Sequence, residues 1–251
     1  MKIIFHERFY EVYTSDPAAA AGRMEAIVQV LGNDFEFIKP SPAPAKSLSL
    51  VHTPEHIERI KHLPDVYEVG VLSAGGAIMA AEMAWRGETA FALIRPPGHH
   101  ASPDSCWGFC YFSNVAIALK NLMNKGGVKK ALILDFDLHF GDGTENSFTG
   151  TPGVVYFHPE GSSGPEFIER TQQRLEQAQD FDILAVSAGF DRHREDWGGL
   201  LSTEDYRTIG SLVKVCSQKV CRGRRFGVLE GGYNHDVLGQ NVRAFLEGMR
   251  N

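Results

Sequence analysis

The run "ALILDFDLHFGDG", Ala131 to Gly143, carries four apolar residues straight into three aspartates and a histidine within eight positions, with Phe140 among them. A short, wholly apolar run bounded by turn residues fits a strand covered on both faces. Such a strand end gathers this much carboxylate only where something compensates the charge. The segment therefore raises a question of chemistry together with one of fold.

Six further short β-rich runs accompany it, most of them apolar throughout: "KIIF" (2–5), "FEFI" (35–38), "FALI" (91–94), "VVYF" (154–157), "ILAVS" (183–187) and "FGVLE" (226–230). Between the runs lie segments of helical period at 22–31, 54–62, 73–86, 113–124, 165–178, 203–221 and 235–249. The alternation predicts an α/β fold, a parallel sheet with helices on both faces. Ser202, three residues before Asp205, has the spacing of a helix cap, and Tyr206, Ile209, Val213, Cys216 and Val220 follow on one face. "PSPAPA" (40–45) reads as a stiff connector. With no internal repeat or low-complexity tract, residues 1–251 are expected to form a single domain.

The chain has 251 residues, 43% of them hydrophobic, enough for one sizeable core. A net charge of −6 argues against a phosphate backbone as partner, and "CRGRR" (221–225) is only a local basic cluster. Cys106, Cys110, Cys216 and Cys221 have spacings that suit structural zinc modules poorly, so they read as free thiols of a reducing compartment. No run approaches the roughly eighteen apolar residues of a membrane span, and "MKIIFHERFY" lacks the apolar core of a signal peptide. A cytoplasmic protein without a membrane partner is expected.

Ligands of open α/β sheets bind outside the carboxyl ends of the strands. "FALI" is followed by "RPPGHHA" with His99 and His100, "ALIL" by "DFDLHFGDG", "ILAVS" by "AGFDRH", and "FGVLE" by "GGYNHD". In extended backbone Asp135, Asp137 and His139 share one face, while Phe136, Leu138 and Phe140 take the other, which places Phe140 on the packing side. Two of the first three, with a neighbouring carboxylate such as Asp191, form an oxygen-rich set with one imidazole. That set suits catalytic zinc with an open position, and iron(II), manganese or cobalt would accept it too. The plainer alternative is that Asp135 or Asp142 caps a turn. The tandem His99 and His100 suit acid–base work if each is oriented by a carboxylate, and Asp135 and Asp142 are left over for that task. Tyr233, in a glycine-rich loop, can donate its hydroxyl to a developing oxyanion.

These residues resemble the histone deacetylase superfamily, which includes acetoin-utilisation proteins and acetylpolyamine amidohydrolases, and suggest a short, prokaryotic-type member. The likeness runs from "DPAAAAGRMEAI" and "HTPEHIERI" through "LIRPPGHHA", "GFCYFSNVAIA", "LDFDLHFGDGT" and "SAGFD" to "EGGY". It implies a zinc-dependent amidohydrolase on the arginase-like three-layer fold, with a mostly parallel sheet of about eight strands. By the same resemblance Asp137, His139 and Asp191 bind zinc. His99 and His100 are the tandem pair, backed by Asp135 and Asp142, with His100 as general base and later acid. Tyr233 polarises the amide carbonyl, Phe109 and Gly108 line an acyl-lysine channel, and Trp197 falls near a rim position that tunes substrate choice. The implied substrate is an acetylated or otherwise acylated lysine or small amine. An acetylpolyamine or other small-molecule amidohydrolase and a non-catalytic acyl-lysine-binding homologue are the alternatives. A ureohydrolase with two manganese ions is disfavoured, because "DRH" stands where it needs D-x-D.

The chain also departs from the family pattern. Phe140 stands where relatives carry a second histidine, and Tyr156 where a small hydroxyl residue serves a monovalent cation, which argues against potassium. The connection from His158 to Asp191 is short, predicting a shallower and more open site. Trp197, in place of the glutamate of polyamine-specific members, argues mildly against a polyamine, although Glu195 and Asp196 lie beside it. Nothing in the sequence sets the oligomeric state.

Overall fold

All seven apolar runs pair edge to edge in the computed structural model, which describes residues 1–250. The chain runs β1 (Lys2–Ile4), α1 (Arg23–Leu31), β2 (Glu36–Ile38), α2 (Ala45–Leu48), α3 (Pro54–Lys61), α4 (Pro64–Trp85), β3 (Ala90–Ala92) and α5 (Asn114–Asn124). It continues β4 (Ala131–Asp135), α6 (Asp142–Phe148), β5 (Val154–Phe157), α7 (Gly164–Glu176), β6 (Ile183–Ala188), α8 (Thr203–Cys221), β7 (Arg225–Leu229) and α9 (His235–Met249).

The strand order is β2-β1-β3-β7-β6-β4-β5, every pair is parallel, and Asp135 lies in register with Ser187. Every residue of β3, β4, β6 and β7 is buried, as both-face coverage requires. These four strands are neighbours in the sheet, so the four motif-bearing loops leave it side by side. The sheet has seven strands among the described residues, not the eight of the family pattern. The eighth came from the resemblance, whereas the apolar runs read as strands number seven, and others such as residues 115–119 are helical.

α4 packs on β1, β3 and β7 and beside α5, while α8 and α9 pack on each other, α9 against α1 and α8 against α7. α4 begins nine residues before the expected 73, because Pro64 occupies the first helical turn, where a missing N–H costs nothing. By length and composition α4 could cross a membrane, but 72% of its most apolar window is buried within the protein. α6 had no sequence counterpart: "DGTENSF" has neither apolar period nor helical propensity. Tertiary contact organises it instead, with Thr144 N–H donating to His99 O at 3.0 Å. α8 starts in the expected capping box, Ser202 N–H donating to Asp205 Oδ2 at 2.7 Å.

His52 ties the loop after β3 to the α2–α3 junction. Its Nδ1 meets Ser102 O at 3.0 Å and its Nε2 accepts from Ser113 N–H at 2.9 Å, a pattern that requires the neutral ring. Burial, then the neighbouring His56 ring stacked at 4.7 Å, push His52 down to about 3. The unfolded chain binds this proton near the ordinary value of about 6.5. The stabilisation is therefore complete above that value and is lost as pH falls toward the folded one. Melts of the metal-free protein between pH 7.5 and 4.5 should show a falling Tm. His52→Gln should flatten that slope, and an unchanged slope would count against the assignment.

Candidate active site

Beyond Asp135 the backbone leaves the strand and is organised by carboxylates. Asp135 Oδ1 accepts from Asp137 N–H at 3.1 Å, Asp137 Oδ1 from His139 N–H at 2.9 Å, and Asp191 Oδ1 from Leu138 N–H at 3.0 Å. The loop therefore coils, and the strict alternation expected past Asp135 does not persist. Phe136 alone of its row enters the core, against Phe190, Tyr206 and Phe245. The expectation that Phe140 faces the packing side is corrected: it is 46% exposed and stands edge-on to Tyr156 at 5.3 Å and His158 at 5.7 Å.

Coiling brings Asp137, His139 and Asp191 together, with one donor atom from each lying within 4.8 Å of the others. His139 Nδ1 is 3.4 Å from Asp137 Oδ1 and 3.6 Å from Asp191 Oδ2. Asp137 Oδ2 accepts from Gly231 N–H at 2.8 Å, whereas Asp191 Oδ2 is buried without a hydrogen-bond partner. A side chain at Gly231 would sit 2.6 Å from both carboxylates, so the β7 loop closes on them only as glycine. Burial and then the Asp137 charge raise Asp191, while the adjoining Asp137 and Asp191 carboxylates raise His139 to about 9. Both shifts report negative charge crowded around Asp191 and His139, while, despite burial, the neighbouring histidines hold Asp137 below the usual carboxylate range. An orphaned carboxylate oxygen, a second carboxylate and an imidazole fit a divalent cation such as zinc.

The histidine pair stands beside this set. His99 Nδ1 meets Asp135 Oδ2 at 3.1 Å, and His100 Nδ1 meets Asp142 Oδ1 at 2.7 Å. Burial disfavours the charged form of His99, but Asp137 and Asp135 outweigh it and hold the ring well above the usual imidazole range. Burial and the His99 charge push His100 down to about 4, against the opposing pull of Asp142. Trp107, unremarked in the sequence reading, stacks on His100 at 3.8 Å and donates Nε1–H to the second oxygen of Asp142 at 2.9 Å. Glu230 Oε2 accepts from Gly98 N–H at 2.7 Å and His99 N–H at 3.2 Å, holding the histidine loop from below. Its signal was a glutamate closing an apolar strand, a position where burial pushes the carboxyl up to about 7.

His139 and the histidine pair open on a cavity of about 120 Å³, also lined by Pro97, Trp107, Gly108, Phe109, Trp197 and Tyr233. Gly108 and Phe109 both have positive φ, 57° and 66°, and a side chain at Gly108 would meet the His100 ring at 2.5 Å. That turn aims the Phe109 ring at Tyr233, 5.9 Å away. Trp197 stacks on Tyr233 at 4.0 Å. Burial, then the charges of Asp137 and Asp191, raise Tyr233 and keep its hydroxyl a donor. Asp196 Oδ2 accepts from Tyr233 N–H at 2.7 Å and Asn234 N–H at 2.8 Å, so this rim carboxylate is spent on the tyrosine loop. Arg23 supports the same loop from behind, Nε donating to Gly232 O at 2.8 Å and the guanidinium lying 5.6 Å from the Tyr233 ring centre.

A family model described as the histone deacetylase domain matches residues 18–159 and 158–249. The chain belongs to the histone deacetylase family. Within that family it is 29% identical to a probable deacetylase of Methanothermobacter thermautotrophicus, over 98% of this chain and 90% of the relative. It is also 29% identical to a histone deacetylase-like amidohydrolase of Pseudomonas aeruginosa, over 93% of this chain and 79% of that protein. The fold matches the HD domain of HDA15 with a TM-score of 0.84 at 23% identity, covering 99% of this chain and 90% of that one. The arginase/deacetylase fold is thus established for this histone deacetylase family member.

If the orphaned Asp191 oxygen and its neighbours form the metal centre, metal-free protein should take up one equivalent of zinc in competition with a chromophoric chelator. His139→Ala and Asp191→Asn should each weaken that uptake by at least about 100-fold. Affinity unchanged in both would rule the set out.

Proposed function

We propose that the protein is a zinc-dependent deacetylase that hydrolyses the amide bond of an acetylated lysine or small acetylated amine. One observation carries the reading: His139 of the Asp137–His139–Asp191 set, two carboxylate-backed imidazoles and the Tyr233 ring line one small cavity. When bound there, zinc polarises the amide carbonyl and acidifies a water.

The chain's own residues then divide the proton work. With Nδ1 committed to Asp142, His100 has Nε2 to accept a proton as water oxygen bonds to the carbonyl carbon. The same nitrogen returns that proton to the amine as the C–N bond breaks, leaving a carboxylic acid and a free amine. Trp107 excludes water from one face of His100 and holds the second oxygen of Asp142. His99, gripped by Asp135, keeps its second nitrogen 3.7 Å from Asp137 Oδ1. Tyr233 donates its hydroxyl to the carbonyl oxygen as charge develops there.

A volume of about 120 Å³ is well below the ~300 Å³ at which ordinary ligand pockets begin, which favours an acetyl over a longer acyl group. Phe109 and Trp197 offer apolar surface to a methylene stem. Engagement of Asp196 by the tyrosine loop favours acyl-lysine over a polyamine, because it removes one carboxylate that could meet a distal ammonium.

Tyr233→Phe should lower kcat by about 10²- to 10³-fold and leave zinc content unchanged. The assay is zinc-loaded protein against acetyl-lysine peptides, acetylated polyamines and short acyl amides. Failure to hydrolyse any of them would defeat the enzyme reading, and turnover confined to acetylated polyamines would move the substrate to that class.

A further inference from the structure

Arg192 follows Asp191 in the chain and turns back beneath the loop that carries the other two candidate ligands. Its Nε donates to Asp137 O at 3.0 Å. Its Nη2 reaches Leu138 O at 3.3 Å, His158 Nε2 at 2.8 Å and Pro159 O at 3.4 Å. The residue is 7% exposed, and its guanidinium lies 4.9 Å from the Phe167 ring centre. A guanidinium keeps its charge at any pH where a protein folds. A permanent cation therefore lies among the carbonyls of the ligand loop, within electrostatic reach of Asp137, Asp191 and Asp135, whose charges oppose the penalty of burying it.

The Asp135 end of the loop is closed by Tyr156. Its hydroxyl donates to Asp135 Oδ2 at 2.9 Å and accepts from Gly141 N–H at 2.7 Å. Phe140, itself exposed, covers the Tyr156 ring edge-on. The resemblance places a monovalent cation beside this strand, bound through a small hydroxyl. The residues present do not fit one: a phenol occupies the hydroxyl position, a fixed positive charge would repel a second cation, and the Asp137 and Leu138 carbonyls already accept from Arg192.

We infer that Arg192, with Tyr156, takes the place of a monovalent cation in this chain, clamping the loop from Asp135 to Gly141 so that metal binding by Asp137, His139 and Asp191 needs no potassium. Arg192 is a positioning residue on this view, since it touches carbonyls and not the ligand atoms. The inference rests on the metal site proposed above.

Zinc affinity of the metal-free protein is measured by chelator competition in potassium, sodium and tetramethylammonium chloride at equal ionic strength. The wild type should vary by less than about twofold across the three salts. Arg192→Met should weaken zinc by about 10- to 100-fold, the usual cost of losing support behind a ligand, and Arg192→Lys should recover part of the loss. Circular dichroism and Tm of each variant separate loss of affinity from loss of fold. Should Arg192→Met fail to fold, the wild-type salt series and Arg192→Lys still decide the matter. A fivefold or greater gain of wild-type affinity in potassium overturns the inference, as does wild-type zinc affinity in a folded Arg192→Met. Wild type that binds no zinc in any salt removes the metal site itself, and this inference with it.

Discussion

Three aspartates buried at the carboxyl ends of neighbouring apolar strands are the constraint on which the rest of this structure depends. Asp135, Asp137 and Asp191 are each at most 1% exposed, in a sheet that offers them no water. Isolated buried carboxylates are too costly to keep ionised, so each must find N–H donors, a cation or a proton. The loop geometry is the solution to that demand. Backbone N–H groups of Asp137, Leu138, His139 and Gly231 turn toward carboxylate oxygens, and Arg192 places its charge beneath them. One oxygen, Asp191 Oδ2, is left without a partner, beside an imidazole. The site's chemistry follows from what the fold leaves unsatisfied there.

A second tier of polar residues, Glu230 and Arg23 buried and Asp196 at the rim, makes that arrangement rigid. Glu230 holds the backbone of the histidine loop, Arg23 holds the carbonyls of Glu230 and Gly232, and Asp196 holds the N–H groups of Tyr233 and Asn234. Each is a charged side chain bonded to main chain, the pairing that fixes a loop's path without demanding regular secondary structure. The catalytic groups proposed here thus sit on irregular segments that are nevertheless over-determined. That suits a reaction in which donors must be aimed before charge develops.

The four central strands were legible because both-face burial leaves a clear record, an apolar run that stops at the site. Six of the seven helical segments were placed to within a few residues for a related reason, since their apolar faces repeat with helical period. The start of α4 was not, because Gly70 lowers the helical propensity of its first turns, nor were the short α2 and α6, the latter held by contact with the His99–Ala101 backbone. Within the site, the pairings of His99 with Asp135 and His100 with Asp142 followed from counting carboxylates left over after the ligand set. Trp107, Arg192, Asp196 and Glu230 were invisible to that counting, because the last three bond main-chain groups and Trp107 carries no charge to count.

By itself, then, the sequence determined which residue types reach one edge of a parallel sheet, because strand periodicity and burial are local properties that composition records. It determined family and fold class through motifs spread over nearly the whole chain. Only the tertiary structure decided which way each of those side chains turns. Past Asp135 the path is set by hydrogen bonds to Asp191 and Gly231, so Phe140 swings outward onto Tyr156 instead of inward. Only there, too, does Arg192 meet the carbonyls of Asp137 and Leu138, a contact between main chain and a distant cation that no spacing rule could contain.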